Sequence, residues 1–142
     1  MTDMEHTRPV ILLLDDDHDF VQMNQTVLCA AGYDVVTAYD PAEAADLLRR
    51  RSVDLIITDL MMSSLHSGFE FARSVKDSPN FGHIPIIIAT SVSKQMGLDF
   101  HPRSSGDLSA MGVDAYFDKP VKSVELLAKV EQLLKRAIGN WQ

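Results

Sequence analysis

The sequence predicts a doubly wound α/β fold on a five-stranded parallel sheet, and three observations carry that expectation. Short apolar runs of strand length alternate with longer amphipathic stretches of helix length. The pattern is strand then helix, repeated five times, with glycines, prolines and capping acids between the runs. Five apolar strands separated by helices favour a parallel sheet covered on both faces, because right-handed crossovers place helices on either side.

The first strand is VILLL (10–14). A helix follows in which Phe20, Val27, Leu28 and Ala31 recur at helical spacing, and Gly32 sits where a left-handed residue would end it. DVVTA (34–38) is the second strand. Asp40-Pro41-Ala42-Glu43 joins an N-cap acid, a proline at the first helical position and a glutamate three residues after the cap, so a second helix starts there and runs to about Arg50. DLIIT (54–58) is strand three, Gly68 to about Asp77 helix three, and IPIIIAT (84–90) strand four, with Pro85 at its start. Ala115-Tyr116-Phe117 makes a short fifth strand, and Ser123 opens a last helix with apolar residues at 126, 127, 130, 133, 134, 137 and 138. Between strands four and five, SVSKQMGLDFHPRSSGDLSAMG holds Pro102, Ser104-Ser105-Gly106 and no clean helical stripe longer than two turns. An irregular or broken fourth helix is expected there.

Composition narrows the function. A chain of 142 residues, 46% hydrophobic and 23% charged, suits one soluble domain. Folding at this size buries roughly two thirds of the unfolded chain's surface. The net charge of -7 repels phosphate backbones, and the only basic run, Arg49-Arg50-Arg51, reads as a solvated helix end, so direct nucleic-acid binding is not expected. The same charge is compatible with a divalent cation. The single cysteine, Cys29, permits no intrachain disulfide and reads as a small buried side chain in a reducing compartment. The polar start MTDMEHTR and the short run after it offer no signal-peptide core or membrane span, so a cytoplasmic protein without membrane contact is expected. Residues 1–7 read as a disordered N-terminus, 8–138 as the domain and 139–142 as a tail too short to form an effector.

Ligands of such sheets bind at the carboxyl ends of the strands. Strand one ends in Asp15-Asp16-Asp17, strand three in Asp59, strand four in Thr90-Ser91, and strand five is followed by Asp118-Lys119-Pro120. Three or more carboxylates brought together repel one another and need a counter-charge, which a hard divalent cation and one lysine would supply. An oxygen-rich set suits Mg²⁺, and a carboxylate beside a metal, a lysine and a hydroxyl is equipped to accept a phosphoryl group. Asp59 is then the nucleophile. Each piece alone has a plainer reading, as a loop acid, a helix cap or a chance Lys-Pro; the specificity lies in the combination.

In that combination the sequence resembles the receiver domain of two-component response regulators. The resemblance covers about residues 8 to 138 and rests on LLLDDD (12–17), LIITDLMM (55–62), IPIIIATS (84–91) and YFDKP (116–120) in this order. It implies a flavodoxin-like sheet of order 2-1-3-4-5 and phosphorylation of Asp59 by the phosphohistidine of a histidine kinase or histidine phosphotransfer protein. It further implies that Asp16, Asp59 and the backbone carbonyl of Met61 bind Mg²⁺, with Asp15 acting largely through water. Lys119 would hold a phosphoryl oxygen next to a cis bond to Pro120. Thr90 and Tyr116 would form the switch that alters binding of a downstream protein, while Asp17 would face the start of the first helix.

The sequence departs from the family in two places. Ser63 stands where proline is usual and Gly68 comes one residue late, so the loop SSLHSG is rebuilt; the stretch between Thr90 and Lys119 is also longer than usual. Met61 and Val92, two residues beyond Asp59 and Thr90, carry no group to polarise water, which predicts a long-lived phosphorylated state. Three rival readings stay open: a small phosphohydrolase with Asp15 as nucleophile, a degenerate receiver acting by constitutive binding, and a domain cut from a longer regulator. The histidines at 6, 18, 66, 83 and 101 show no metal-ligand spacing, although His18 and His66 fall in loops near the site.

Overall fold

In the computed structural model, which describes residues 8–60, 62, 67–91 and 113–138, the apolar runs are strands. β1 (Val10–Leu14), β2 (Asp34–Ala38), β3 (Leu55–Thr58), β4 (Ile86–Thr90) and β5 (Ala115–Asp118) form one parallel sheet in the order β2-β1-β3-β4-β5. Four helices are described with them: α1 (His18–Ala30), α2 (Pro41–Arg50), α3 (Ser67–Asp77) and α4 (Ser123–Ile138). The predicted sheet is thus observed with its order. The irregular helix expected between β4 and β5 falls at 92–112, outside the described residues, as do the two terminal segments.

Strand parity sorts the core into two layers. Ile11, Leu13, Leu55, Ile57, Ile87 and Ala115 pack with Phe20, Leu28, Leu126, Val130 and Leu134 of α1 and α4. Leu12, Leu14, Ile56, Ile86 and Ile88 pack with Ala44 and Leu48 of α2 and Phe71 and Val75 of α3. The Ile and Leu side chains of β1, β3 and β4 are all 0% exposed. Burial on this scale contributes about 1.5–3 kcal/mol for each such side chain. This is why these strands read as unbroken apolar runs, whereas edge strand β2 buries only Ala38 completely.

Helix ends follow the capping chemistry in the sequence. Asp40 Oδ1 accepts from Glu43 N at 2.8 Å, Glu43 Oε1 accepts from Tyr39 N at 2.8 Å, and Pro41 opens α2. Gly32, at φ 102°, follows α1 and lets Tyr33 N reach Leu28 O at 3.2 Å. Arg49 and Arg50 are exposed and pair with Asp46, as a solvated helix end would.

Two expectations need correction. Cys29 is exposed, not buried: the inward stripe of α1 is Phe20, Val21, Asn24 and Leu28, and the residue after Leu28 is turned about 100° toward solvent. Asn24 enters that stripe without an unmet donor because its Nδ2 donates to Phe20 O at 2.9 Å. β3 and β4 also begin later than read. Asp54 instead closes the lower edge with its side chain, accepting from Val10 N at 2.8 Å, and Asp114 accepts from Ile86 N at 2.8 Å and from Lys76 Nζ at 3.2 Å.

The glycine opening α3 has a specific physical role. Gly68 N and Phe69 N both donate to Leu60 O, at 2.9 and 3.3 Å, drawing the helix start against the backbone after β3. A Cβ at position 68 would overlap the Asp59 carbonyl. Only glycine fits there.

Candidate functional site

Backbone hydrogen bonds continue the sheet one step past the strand ends, and they seat the acids and the lysine. Asp15 N donates to Ala38 O at 3.1 Å, Asp59 N to Leu14 O at 3.2 Å, and Lys119 N to Thr90 O at 2.9 Å. Each of these residues is therefore held by the last carbonyl of the adjacent strand. Asp15 and Asp59 follow Leu13 and Ile57 in parity, toward the layer of α1 and α4.

There Lys119 joins them. Its Nζ lies 2.9 Å from Asp15 Oδ2 and 3.4 Å from Asp59 Oδ2. Asp16 completes the group: carboxylate oxygens of Asp15, Asp16 and Asp59 can lie within 4.8 Å of one another, Asp15 and Asp59 buried and Asp16 exposed. Asp15 Oδ1 accepts from Asp17 N at 3.0 Å. Oδ2, equally buried, receives the ammonium's charge without a well-directed hydrogen bond. An under-satisfied buried oxygen among three carboxylates is a donor set that a hard cation fits.

The electrostatics agree. Burial, reinforced by the charge of Asp59, raises the Asp15 carboxyl to about 6 against the opposing pull of Lys119. Burial is also the largest influence on Lys119 and works against its charge, yet the two carboxylates together hold it above the ordinary lysine value. One cation among three acids leaves the cluster short of positive charge.

The predicted residues divide as follows. Asp15, Asp16, Asp59 and Lys119 come together; Thr90 ends β4, buried, opposite Asp118 in register. Tyr116 is half-buried, and its hydroxyl donates to Asp118 Oδ1 at 3.3 Å. Asp17 caps α1, accepting from Asp19 N and Phe20 N at 3.1 and 3.2 Å. The Lys119–Pro120 bond is cis. Met61, Val92, Ser63 and His66 lie outside the described residues. His18 stacks on Tyr39 with ring centroids 4.0 Å apart, and His83 is exposed.

One site neighbour escaped the sequence reading. Lys119 Nζ sits over the Phe20 ring, 4.3 Å from its centroid. The sequence places Phe20 in the apolar stripe of the first helix, and the structure buries it there. Nothing local in the sequence links it to a lysine in the loop after β5; the pairing exists only once folding brings the first turn of α1 and that loop to the same end of the sheet.

Comparison with known proteins is consistent across sequence and structure. The family model described as "Response regulator receiver domain" matches residues 11–131. The chain is 34% identical over 131 residues to "Hybrid signal transduction histidine kinase D" of Dictyostelium discoideum, covering 91% of this chain and 8% of that protein. It is 32% identical over 130 residues to "Response regulator ArlR" of Staphylococcus aureus, covering 89% of this chain and 52% of that protein. The chain therefore spans about half, or much less, of these curated relatives. Among solved structures, the chemotaxis response regulator CheY4 of Vibrio cholerae superposes with a TM-score of 0.75 at 28% identity, covering 89% of this chain and 99% of that one. Among the described residues no helix is long and apolar enough to cross a membrane.

Proposed function

The chain belongs to the response regulator receiver domain family, and we propose that Asp59 is its phosphoacceptor. It is a receiver domain of two-component response regulators, a signalling domain rather than a classical enzyme. The observation that carries the assignment is the Lys119 ammonium between Asp15 and Asp59, at 2.9 and 3.4 Å, in a cluster that also holds Asp16.

In this reading the donor is a phosphohistidine on a histidine kinase or histidine phosphotransfer protein. A carboxylate oxygen of Asp59 attacks phosphorus in line, the P–N bond breaks, its electron pair stays on the imidazole nitrogen, and that nitrogen takes a proton from water. The product is an acyl phosphate on Asp59. Lys119 turns its ammonium from the carboxylates to a phosphoryl oxygen. Thr90 donates its hydroxyl to another, and Tyr116 changes position with it, altering the surface offered to a downstream protein. Mg²⁺, held by Asp15, Asp16, Asp59 and the Met61 carbonyl, would neutralise the phosphoryl oxygens during transfer. The setting is the cytoplasm. Direct nucleic-acid contact by this domain is not part of the reading, given its charge of -7.

The test is incubation with acetyl phosphate and Mg²⁺, read by intact mass. Wild type gains one phosphoryl group and Asp59→Asn does not. No gain in wild type, or a gain kept by Asp59→Asn and lost by Asp15→Asn, overturns the assignment. Sampling the phosphorylated protein over time checks its lifetime: with Met61 and Val92 at the two positions beyond Asp59 and Thr90, the group persists for many minutes, and decay within seconds would contradict that.

A further inference from the structure

We propose that Phe20 is a positioning residue for Lys119, acting through the face of its ring; this rests on the reading of Lys119 as the group that binds the phosphoryl oxygen. Four contacts form a closed circuit around the site. Asp17 N donates to Asp15 Oδ1 at 3.0 Å, Phe20 N donates to Asp17 Oδ1 at 3.2 Å, the Phe20 ring lies 4.3 Å from Lys119 Nζ, and Nζ returns to Asp15 Oδ2 at 2.9 Å. The third aspartate, which is no member of the carboxylate cluster, thus sets the first turn of α1, and that turn sets the ring.

The ring's location explains why the contact matters. Phe20 is 7% exposed, and the Lys119 side chain is 14% exposed, so the cation meets the π face largely out of water, where the attraction is strongest. A π face also attracts without direction. It holds the ammonium against Asp15 and Asp59 yet adds no hydrogen-bond acceptor of its own that the lysine would have to release on turning to a phosphoryl oxygen. A leucine there would keep apolar contact and lose the attraction.

The experiment compares wild type, Phe20→Leu and Phe20→Tyr, each also with Lys119→Gln. Ring-current shifts of the Lys119 ε-methylene protons are read by NMR, with no phosphodonor present. Rates of phosphorylation by acetyl phosphate are read by mass. We expect upfield ε-methylene signals in wild type and Phe20→Tyr and ordinary ones in Phe20→Leu. We also expect a rate about three- to tenfold lower in Phe20→Leu, recovered by Phe20→Tyr, with no further loss when Phe20→Leu is added to Lys119→Gln. Equal losses in both lysine backgrounds would assign Phe20 a merely structural role and overturn the proposal, as would ordinary ε-methylene signals in wild type. Upfield signals in a wild type that takes no phosphoryl group would overturn the phosphoacceptor assignment while leaving the ring's hold on Lys119 standing.

Discussion

At the scale of single residues, the site keeps a carboxylate where the fold alone would not. Asp15 is 0% exposed and its proton is held more tightly in the folded protein, at about 6, than at the ordinary value of 3.8. The folded state therefore binds that proton before the unfolded chain does. Through this group stability is greatest below pH 3.8, falls as pH rises through about 6, and is then level. Without divalent cations, Asp15→Asn should flatten the slope between those pH values in urea titrations. At neutral pH it should stabilise the protein by about 1–2 kcal/mol, discounted for the Lys119 contact it weakens. With the acids holding Mg²⁺ as proposed, the ion should stabilise wild type by about 2.7 kcal/mol at a concentration one hundred times the dissociation constant, and the same variant should lose that gain. An Asp15→Asn protein less stable than wild type without metal would show that the ion pair outweighs the burial cost.

At the scale of elements, α3 is fitted to Asp59, the proposed phosphoacceptor, by its first turn. The Gly68 and Phe69 amides share the Leu60 carbonyl, and no Cβ fits between Gly68 and the backbone of Asp59. Gly68→Ala must push the helix start or the end of β3 aside. We expect a loss of about 1–3 kcal/mol in chemical denaturation, the usual cost of overpacking, together with slower acetyl phosphate labelling because Asp59 moves. Full stability with an unchanged rate would mean that the loop before α3 absorbs the added methyl group freely. This constraint shows where sequence reading reaches and where it stops. Gly68 was legible as a helix start, and Asp15, Asp16, Asp59 and Lys119 as strand-end groups, because short unbroken apolar runs bounded by turns fix where strands end. The need for glycine was not legible, since it arises from the Asp59 backbone nine residues earlier, brought close only by folding. The contact of Phe20 with Lys119 and the exposure of Cys29 were not legible for a related reason: an apolar stripe on a helix does not say which neighbour each member meets, nor which side of the stripe turns to water.

At the scale of the whole molecule, the sheet is both the frame of the site and the route out of it. Lys119 is tied to β4 because its backbone N–H donates to Thr90 O at 2.9 Å, and Thr90 pairs in register with Asp118, whose carboxylate accepts from the Tyr116 hydroxyl at 3.3 Å. In the proposed mechanism a phosphoryl group on Asp59 would draw Lys119 and Thr90 together from one side, where Thr90 ends β4 and Lys119 follows β5. On the other side, β1 and β2 meet the site through Asp15, Asp16 and the terminal carbonyls of Leu14 and Ala38. Beryllofluoride, a mimic of the phosphoryl group, should therefore shift the amides of Thr90, Tyr116, Phe117 and Asp118 with a common midpoint. Residues of β2 should move little. Thr90→Ala should still bind the mimic, through Lys119 and the acids, but leave the Tyr116 amide near its starting position, because a ligand shifts an equilibrium only by its differential contacts with the two states. If Tyr116 moves as far in Thr90→Ala as in wild type, the signal leaves through Lys119 and the backbone of β5, and the hydroxyl of Thr90 is no part of the switch.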